Sequence, residues 1–420
     1  MLNKNNEREL AFLVTVDAIT PMNADRLECA HVGGWHCVVG KGEFKPGDLA
    51  VYFEIDSQLP DVEPFSSMEF LKSKNFKIKT QKIRGEYSQG LLMPVSAFGW
   101  TIEKIWDAET SKETIYVDNA KDGELYCLEN DSRFLTKKLN VTYAEPGDNV
   151  RKSEGIDKYK LMAQRHPTIF KQKWARWLMK RNWGRKLMFL FFGKKKDKKN
   201  GWPAWVKKTD EERIQNCPWV LQSQTEWIAT EKIDGSSTTF AIRGRGRKQQ
   251  FFVCSRNVVF DKPDKKCFYD TNIYTEMEEK YHMHDLMKKM IDDSPCISGP
   301  IAEYVTIQAE TYGAGVQKRD YGLTGHDMAI FNIIFGYKDG SQYRLNPIEG
   351  QEYAARYNLP FVPVISARQT LPQTPEEVLE MADGKSVIDG GMREGIVFRS
   401  TDGTQSFKAV SNDFLIKYHQ

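Results

Sequence analysis

The chain changes its pattern of apolar and polar residues once, at a strongly basic stretch near its middle. Between Arg165 and Lys208 there are fifteen lysines and arginines and a single acidic residue, Asp197. Before this stretch, short alternating runs separated by turn residues predict strands. After it, strands are mixed with amphipathic helices. The 420 residues are enough for two domains with ordinary cores, and we place the boundary inside the basic stretch.

The N-terminal part is predicted to be rich in short strands and to lack long helices. The turn signal Pro46-Gly47-Asp48 precedes one of these strands. Several short strands without helices between them are typical of a small β-barrel or sandwich. Residues from about 105 to 145 are polar and are predicted to be an insertion on this scaffold. The strands are expected at residues 10–19, 35–39, 49–55, 76–83 and 90–94.

The C-terminal part mixes both kinds of element and predicts an α+β domain. The apolar residues of its first helix fall near one face, as they do when a helix packs against a sheet. Strands are expected at residues 227–232, 238–243, 251–255, 301–305, 327–335, 394–399 and 406–410. Helices are expected at residues 273–292, 349–357, 375–381 and 412–418.

The basic stretch allows three interpretations. Lysine and arginine neutralise phosphates and aromatic rings stack on bases, so the stretch can bind nucleic acid. It can also be a solvated linker with residues 194–199 as its exposed tip, or a basic amphipathic helix on a membrane surface. The aromatic residues interleaved with its cations are Trp174, Trp177, Trp183, Phe189, Phe191 and Phe192.

Composition and hydropathy exclude several classes of protein. The longest apolar run, residues 187–192, is far too short for a membrane span, and the first residues lack the apolar core of a signal peptide. The seven cysteines are scattered, with no pair at zinc-ligand spacing. We expect a cytoplasmic protein with no membrane segment, no disulfides and no structural metal.

One short motif carries a candidate nucleophile. Glu231-Lys232-Ile233-Asp234-Gly235 lies at the end of a predicted strand and enters a polar turn. A nucleophilic lysine must lose a proton although its ordinary pKa is about 10.4, and its surroundings can promote that loss. Glycine lets a phosphate-bearing ligand approach the backbone closely. Alone the motif is a weak signal, because a surface lysine in a turn fits it as well.

The motif is followed, in chain order, by the other groups that nucleotidyl transfer needs. These are a guanidinium at a strand end, a carboxylate on a strand, an aromatic residue in an apolar strand, a second carboxylate on a strand and a late lysine. The residues are Arg256, Glu303, Phe331, Glu394 and Lys408. The whole series, unlike its first member, is a strong signal.

These ordered segments resemble the motifs of the covalent nucleotidyltransferase superfamily, which holds DNA ligases, RNA ligases and mRNA capping enzymes. DNA ligases and capping enzymes carry an OB-fold domain after the last lysine motif, and only twelve residues follow Lys408 here. A β-rich domain placed first is similar instead to the Deinococcus/Naegleria-type RNA ligases. Local strings agree with that group: 33–35, 47–56, 88–92 and 208–216, the last expected to line the adenylate pocket with Asn216.

The resemblance implies an α+β chain with an N-terminal OB-like β-barrel followed by a ligase-type nucleotidyltransferase domain. The implied domains are 1–160 for the OB-like part, 161–208 for the basic linker or insertion, and 209–420 for the transferase. The implied activity is ATP-dependent joining of RNA 3′-OH and 5′-phosphate ends through a lysyl-AMP intermediate. Nicked or broken RNA, including RNA/DNA hybrid duplex, would be the substrate of a monomeric enzyme.

The resemblance also implies a role for each candidate residue. Lys232 would be the nucleophile, Lys408 and Arg256 would hold the phosphates or ribose, and Phe331 would stack on adenine. Asp234, Glu303 and Glu394 would contact Mg²⁺ or Mn²⁺, mainly through water, with Glu303 also near the ribose. The nucleotide pocket as a whole would contain Glu231, Lys232, Asp234, Gly235, Arg256, Glu303, Phe331, Glu394, Lys408 and Asn216.

The sequence departs from the group at one position and leaves other classes of function open. Many related RNA ligases carry a second lysine where this chain has Val410, and Lys417 is the candidate substitute. Another covalent nucleotidyltransferase, either a DNA ligase or a capping-type enzyme, is one alternative. A non-catalytic nucleic-acid-binding protein on the same scaffold is the other.

Overall fold

The fold was analysed in a computed structural model. It describes residues 1–5, 7–107, 112–119, 124–143, 172–179, 181, 184, 186–188, 202–207, 210–223, 225–256, 259–260, 272–294 and 301–419. The expected domain boundaries, after residues 160 and 208, lie outside these residues. None of the helices described is long and apolar enough to cross a membrane.

The N-terminal part is built around two antiparallel three-stranded sheets, β1-β5-β9 and β2-β3-β4. Every residue of β5 is buried, so this strand lies at the centre of the unit. The elements are β1 Ala11–Thr15, β2 Ala18–Pro21, β3 Leu27–Val32, β4 Trp35–Gly40, β5 Leu49–Phe53, β6 Ser57–Gln58, α1 Glu69–Lys72, β7 Gln81–Ile83, β8 Glu86–Ser88 and β9 Leu91–Pro94.

The polar segment expected to be an insertion is largely β-structure. Strands β10 Thr101–Asp107, β11 Lys112–Asn119 and β12 Glu124–Cys127 form an antiparallel meander, and a short β13 at Thr142–Tyr143 pairs with β6. The meander is anchored by Val117, which is fully buried in the same core cluster as Trp100. Polar residues therefore mark its solvent face rather than an absence of regular structure.

The C-terminal part contains two larger sheets, one of five strands (β14-β24-β23-β15-β22) and one of six (β18-β17-β16-β19-β20-β21). The strands are β14 Glu212–Arg213, β15 Trp227–Lys232, β16 Ser236–Arg243, β17 Gln250–Ser255, β18 Val259–Phe260, β19 Tyr304–Gly313, β20 His326–Gly336, β21 Gln342–Arg344, β22 Val364–Gln369, β23 Gly395–Ser400 and β24 Ser406–Val410. The helices are α2 Lys173–Met179 in the basic stretch, then α3 Ile273–Tyr281, α4 Met283–Asp292, α5 Pro347–Arg356, α6 Pro375–Ala382 and α7 Asn412–Tyr418.

Four predicted elements differ from those observed. The strand expected at 10–19 is divided into β1 and β2, and only Gln81–Ile83 of the strand expected at 76–83 forms a strand. The expected helix at 273–292 is two helices, because His282 between them has a φ of 50°, outside the helical region. The strand expected at 301–305 begins only at Tyr304 and runs on to Gly313. Ile301 is 54% exposed, so the buried part of this segment starts later than its first apolar residue suggests.

The helices cover one face of the six-stranded sheet and leave its other face uncovered by helices α3 and α4. Met277 of α3 and Met283, Met287 and Met290 of α4 are fully buried in the core beneath that sheet. The opposite face turns towards the five-stranded sheet, since Arg399 of β23 donates a 2.7 Å hydrogen bond to the Phe331 carbonyl oxygen of β20. The core behind the six-stranded sheet therefore holds this sheet in position, and a cleft lies between it and the five-stranded sheet.

The two parts of the chain are joined by a polar interface centred on the Gly33-Gly34-Trp35 turn. The Gly34 amide donates to the Gln215 carbonyl oxygen at 2.9 Å, and a Cβ at Gly34 would lie 2.6 Å from Gln215 Cα. A side chain cannot fit there, so Gly34 permits the close approach of the two backbones. Val410 and Leu415 add apolar contacts to the N-terminal core.

Glu54 is a buried carboxylate at this interface, 1% exposed. It accepts a 2.6 Å hydrogen bond from Arg8 and a 3.1 Å bond from Asn216, and Arg213 lies at 3.7 Å. Burial alone would raise the pKa of Glu54. The N-terminal ammonium, Arg8 and Arg213 outweigh burial and hold the pKa well below its ordinary value.

Replacing Glu54 with alanine is expected to destabilise the fold by about 3 kcal/mol near neutral pH, because Arg8 and Arg213 lose the buried carboxylate that they share and retain Asp56 at 3.5 and 3.3 Å. The folded pKa lies below the unfolded value of about 4.3, so the stabilisation is complete above that pH and is lost as the pH falls towards the folded pKa. Urea denaturation of wild type and variant measures it. A difference that stays constant into the acid range would contradict this assignment.

Candidate active site

A large cavity opens between the two sheets of the C-terminal part, with a volume of about 1180 Å³. Residues of the N-terminal part also reach its wall, namely Arg8, Asp56 and Tyr143. Of the candidate residues from the sequence, eight line it: Glu231, Lys232, Asp234, Gly235, Arg256, Phe331, Glu394 and Lys408.

Strand pairing brings Lys232 and Glu394 together. Lys232 ends β15 and is paired with Gly395, the first residue of the antiparallel β23, so the preceding Glu394 lies beside it. The Lys232 Nζ donates a 2.7 Å hydrogen bond to Glu394 Oε1. Lys232 is 25% exposed and Glu394 7%, which leaves the lysine accessible from the cavity.

The surroundings of Lys232 keep its amine protonated in this state. Burial lowers the pKa of Lys232, but the carboxylates of Glu394, Glu310 and Asp234 outweigh it and raise the pKa above its ordinary value. A protonated amine has no lone pair with which to attack. The lysine therefore becomes a nucleophile only when cations or phosphate-bound metal compensate these carboxylates.

Asp210 forms ion pairs with two cationic side chains that line the cavity. Its carboxylate accepts a 2.8 Å hydrogen bond from Lys408 and a 2.6 Å bond from Arg256. Burial would raise the pKa of Asp210, but Lys408 and Arg256 hold it well below its usual range. Burial lowers the pKa of Lys408, with Asp210 opposing and Arg213 and Arg8 adding to the decrease. This cationic group is suited to bind phosphate.

The turn after Lys232 is clasped by the loop that follows β19. The Asp234 amide donates to the Tyr321 hydroxyl at 2.7 Å, and Gln317 donates to the Gly235 carbonyl oxygen at 3.0 Å. A Cβ at Gly235 would lie 2.3 Å from the Thr311 carbonyl oxygen. The turn can therefore approach β19 this closely only with glycine, which fixes the position of Lys232 in the cavity.

Phe331 and Glu231 lie on strands of the two sheets and both line the cavity. The Phe331 ring is only partly buried. The Glu231 Oε2 accepts a 2.8 Å hydrogen bond from the Val387 amide, whereas its buried Oε1 has no hydrogen-bond partner. A flat ring can stack on a base, and an unsatisfied acceptor can receive a hydrogen bond from an amino group.

Comparisons with known proteins agree with this geometry. An OB-fold domain model matches residues 10–95, and an RNA ligase model matches residues 225–419. The structure is similar to a Naegleria gruberi RNA ligase with pyrophosphate, at 27% identity and a TM-score of 0.67 over 98% of this chain and 99% of the other. The chain therefore contains an OB-fold domain followed by an RNA ligase domain. Its N-terminal OB fold, its α+β class and the family resemblance expected from the sequence are confirmed.

Two further structures of the Naegleria gruberi RNA ligase show the same similarity. A lysine variant with AMP and manganese is 26% identical, with a TM-score of 0.67 over 98% of this chain and 99% of that one. Another lysine variant, with ATP and manganese, is also 26% identical, with a TM-score of 0.66 over 98% and 99% of the two chains. A search of curated proteins gave no significant match.

Glu303 does not line the cavity, and a different carboxylate does. Its Oε1 accepts a 2.8 Å hydrogen bond from Arg243, just before β19 begins. Glu310 lies further along β19, paired with Ser237 of β16, and lines the cavity. Burial, together with Glu394 and Asp234 and against the opposing charge of Lys232, raises the pKa of Glu310 to about 8. The structure thus places Glu303, which was expected near the ribose or metal, outside the cavity and places Glu310 in it.

A signal for Glu310 was present in the sequence. Gln308 and Glu310 are polar residues at alternate positions of an otherwise apolar run, which places both on one face of the strand. Glu303 precedes the strand. Which of the two carboxylates enters the site depends on the pairing of β19 with β16, and no local pattern specifies that register.

Asn216 is also placed outside the cavity. Its side chain is buried in the interface between the two parts, where Oδ1 accepts a 2.7 Å hydrogen bond from Trp35 Nε1. Its Nδ2 donates to Glu54 at 3.1 Å and to Glu212 at 2.8 Å. The expectation that Asn216 lines the nucleotide pocket is therefore corrected: it holds the OB fold against the transferase part.

Replacing Asn216 with alanine is expected to lower the stability of the protein by about 1–3 kcal/mol, because three hydrogen bonds of a buried side chain are lost. The KM for the nucleotide should change little, since the side chain does not reach the cavity. Thermal denaturation and the nucleotide dependence of the first reaction step measure the two effects. A large rise in KM without loss of stability would restore Asn216 to the pocket.

Proposed function

We propose that this RNA ligase joins RNA 3′-OH and 5′-phosphate ends with ATP, through a covalent AMP on Lys232. The observation that carries the proposal is that Lys232 shares one cavity with the carboxylates of Glu394 and Glu310 and with the cations of Lys408 and Arg256. These are the groups that attack, position and neutralise a phosphoryl group. The Naegleria gruberi relatives with ATP or AMP support the choice of adenine nucleotide.

In the first step, the deprotonated Lys232 Nζ attacks the α-phosphorus of ATP. A P–N bond forms, the bond from the α-phosphorus to the bridging oxygen breaks, and pyrophosphate leaves with the electron pair. Lys408 and Arg256 are proposed to bind the phosphates, because their shared partner Asp210 keeps both side chains at the cavity. Phe331 is proposed to stack on adenine, and Glu231 Oε1 to accept from its amino group.

A divalent cation, Mg²⁺ or Mn²⁺, fits the carboxylates of the cavity. Within the described residues no group of three or more His, Cys, Asp and Glu side chains is arranged to hold a metal by itself. The buried oxygens Asp234 Oδ2 and Glu394 Oε2 nevertheless have no hydrogen-bond partner. Magnesium binds through few carboxylates together with waters and phosphates. When bound, it would neutralise charge on the α-phosphate and compete with Lys232 for Glu394.

In the second step, an oxygen of the RNA 5′-phosphate attacks the phosphorus of the lysyl-AMP, and the P–N bond breaks to return the lysine. In the third, the RNA 3′-hydroxyl attacks the activated 5′-phosphorus, so that a phosphodiester forms and AMP leaves. We infer nicked duplexes with a ribonucleotide at the 3′ end, including RNA/DNA hybrids, as the preferred substrates. The Deinococcus/Naegleria-type resemblance and the N-terminal OB fold support this choice.

The proposal is tested by incubating the protein with α-labelled ATP, or α-labelled GTP, and Mg²⁺ or Mn²⁺, followed by a denaturing gel. Label from ATP but not GTP is expected on the chain. Nicked duplexes that differ only in a 3′-terminal ribose or deoxyribose then identify the strand, with faster sealing expected for ribose. Absence of label from protein freed of bound AMP would overturn the proposal, and label from GTP alone would favour a capping-type enzyme.

A further inference from the structure

Tyr143 and Asp210 stand on either side of the segment 144–209 in the sequence. Both residues line the cavity, and both contact Arg256. The Arg256 Cζ lies 6.0 Å from the centroid of the Tyr143 ring, and its Nη2 lies 2.6 Å from Asp210 Oδ2. The two residues that flank the segment 144–209, which contains the basic stretch, therefore both lie at the site.

The last part of this segment is fixed to the six-stranded sheet. The Trp205 ring centroid lies 4.6 Å from that of Tyr304, and Gln308 donates a 3.0 Å hydrogen bond to the Lys207 carbonyl oxygen. Glu310, two residues beyond Gln308 on the same strand, is in the cavity. The last part of the segment therefore packs against the same strand, β19, that carries Glu310.

Two tryptophans of α2 in this segment face solvent. Trp174 is 53% exposed and Trp177 51%, whereas Ala175 between them is fully buried. Residues three apart lie on the same side of a helix, so the two rings belong to one surface. Tryptophan is usually largely buried, and paired exposed rings are a common feature of surfaces that bind a partner.

A cation is placed directly on one of these rings. The Arg181 Cζ lies 3.7 Å from the Trp177 ring centroid, and Arg181 Nη1 donates to the Trp177 carbonyl oxygen at 3.5 Å. A guanidinium held on an aromatic ring offers donors to a phosphate while a neighbouring ring offers a face to a base.

The charge of the segment selects the kind of partner. Between Arg165 and Lys208 there are fifteen lysines and arginines and one acidic residue. This charge attracts a polyanion and repels a basic partner. A polyanion with flat groups between its charges matches the combination of Arg181 with Trp174 and Trp177.

We propose that the surface formed by Trp174, Trp177 and Arg181 binds single-stranded RNA that extends from the duplex carrying the nick. The inference rests on the proposed function, because RNA is the substrate of that reaction. Stacking on Trp174, beside the guanidinium held on Trp177, would hold the strand for the second and third steps. The first step involves no RNA and does not use this surface.

The test is binding of a fluorescently labelled single-stranded RNA to the variant Trp174→Ala/Trp177→Ala. Trp219→Ala is the matched control, since Trp219 is 63% exposed and no lysine or arginine lies between Arg213 and Glu226. Lysyl-AMP formation is measured on every variant, which shows that each one is folded. The double variant is expected to bind RNA at least about tenfold more weakly, and the control to bind like wild type.

Wild-type RNA affinity in a double variant that still forms lysyl-AMP would overturn the inference. An equal loss in the Trp219→Ala control would also overturn it, because the effect would then not belong to this surface. Loss of binding to phosphatidylserine vesicles with unchanged RNA binding would assign the surface to membranes instead. Failure of the wild type to form lysyl-AMP is a separate result, which would refute the proposed function rather than this surface.

Discussion

Replacing Lys232 with alanine is expected to reduce AMP transfer to the protein below detection. The Nζ is the proposed attacking atom, and no other side chain can form the same P–N bond at that position once it is removed. Labelling with α-labelled ATP followed by a denaturing gel measures the loss. The variant should still fold, because the side chain is 25% exposed and faces the cavity.

Lys417→Ala is the matched control for this substitution. Lys417 is exposed on α7, its Nζ lies 5.0 Å from the Tyr418 ring centroid, and it does not line the cavity. The structure therefore gives no support to Lys417 as a substitute for the second motif lysine, and its loss should leave labelling close to wild type. Persistent label on the Lys232→Ala chain would mean that another residue is the nucleophile.

Replacing Glu310 with alanine is expected to slow lysyl-AMP formation by roughly 100-fold or more, because a carboxylate that helps position the reacting groups is removed. Glu310 lines the cavity and lies among Lys232, Glu394 and Asp234, which influence its pKa. Single-turnover labelling with ATP, at saturating nucleotide and metal, measures the rate. Glu310→Gln separates the negative charge from the shape of the side chain.

Glu303→Ala tests the same substitution at the position that the sequence favoured. Glu303 is paired with Arg243 at 2.8 Å and is 29% exposed, so its loss should have only a small effect on stability and on labelling. The two variants therefore discriminate between a carboxylate chosen by motif order and one chosen by strand register. A slow Glu303→Ala together with an active Glu310→Ala would restore the first assignment.

Much of the site could be predicted from the sequence because its residues lie at the ends of strands. Lys232 lies just before a turn, and Glu394 lies just before the start of a strand. Both were identified without any knowledge of their partners. Hydrophobic alternation predicted the strands that carry them, since the side-chain period of two is a local property. The order of the motifs along the chain then indicated the family.

The tertiary structure decided which side chains meet. Glu310 was chosen over Glu303 by the pairing of β19 with β16. Asn216 was removed from the nucleotide pocket by its bond to Trp35, 181 residues away in sequence. Asp210 lies in the string 208–216 that was expected to line the adenylate pocket, but only the structure showed that it pairs with Lys408 and Arg256. Contacts of this kind depend on register and domain packing, which are set by interactions between distant segments.

The sequence by itself determined the strand-rich and mixed halves, the lysine motif and the basic stretch with its tryptophans. Only the tertiary structure showed that Tyr143 and Asp210, on either side of the segment 144–209 in the sequence, both lie at the cavity. The physical reason is that periodicity and composition are encoded along the chain. Proximity in a cavity instead results from the burial of cores that pack residues far apart in sequence against each other.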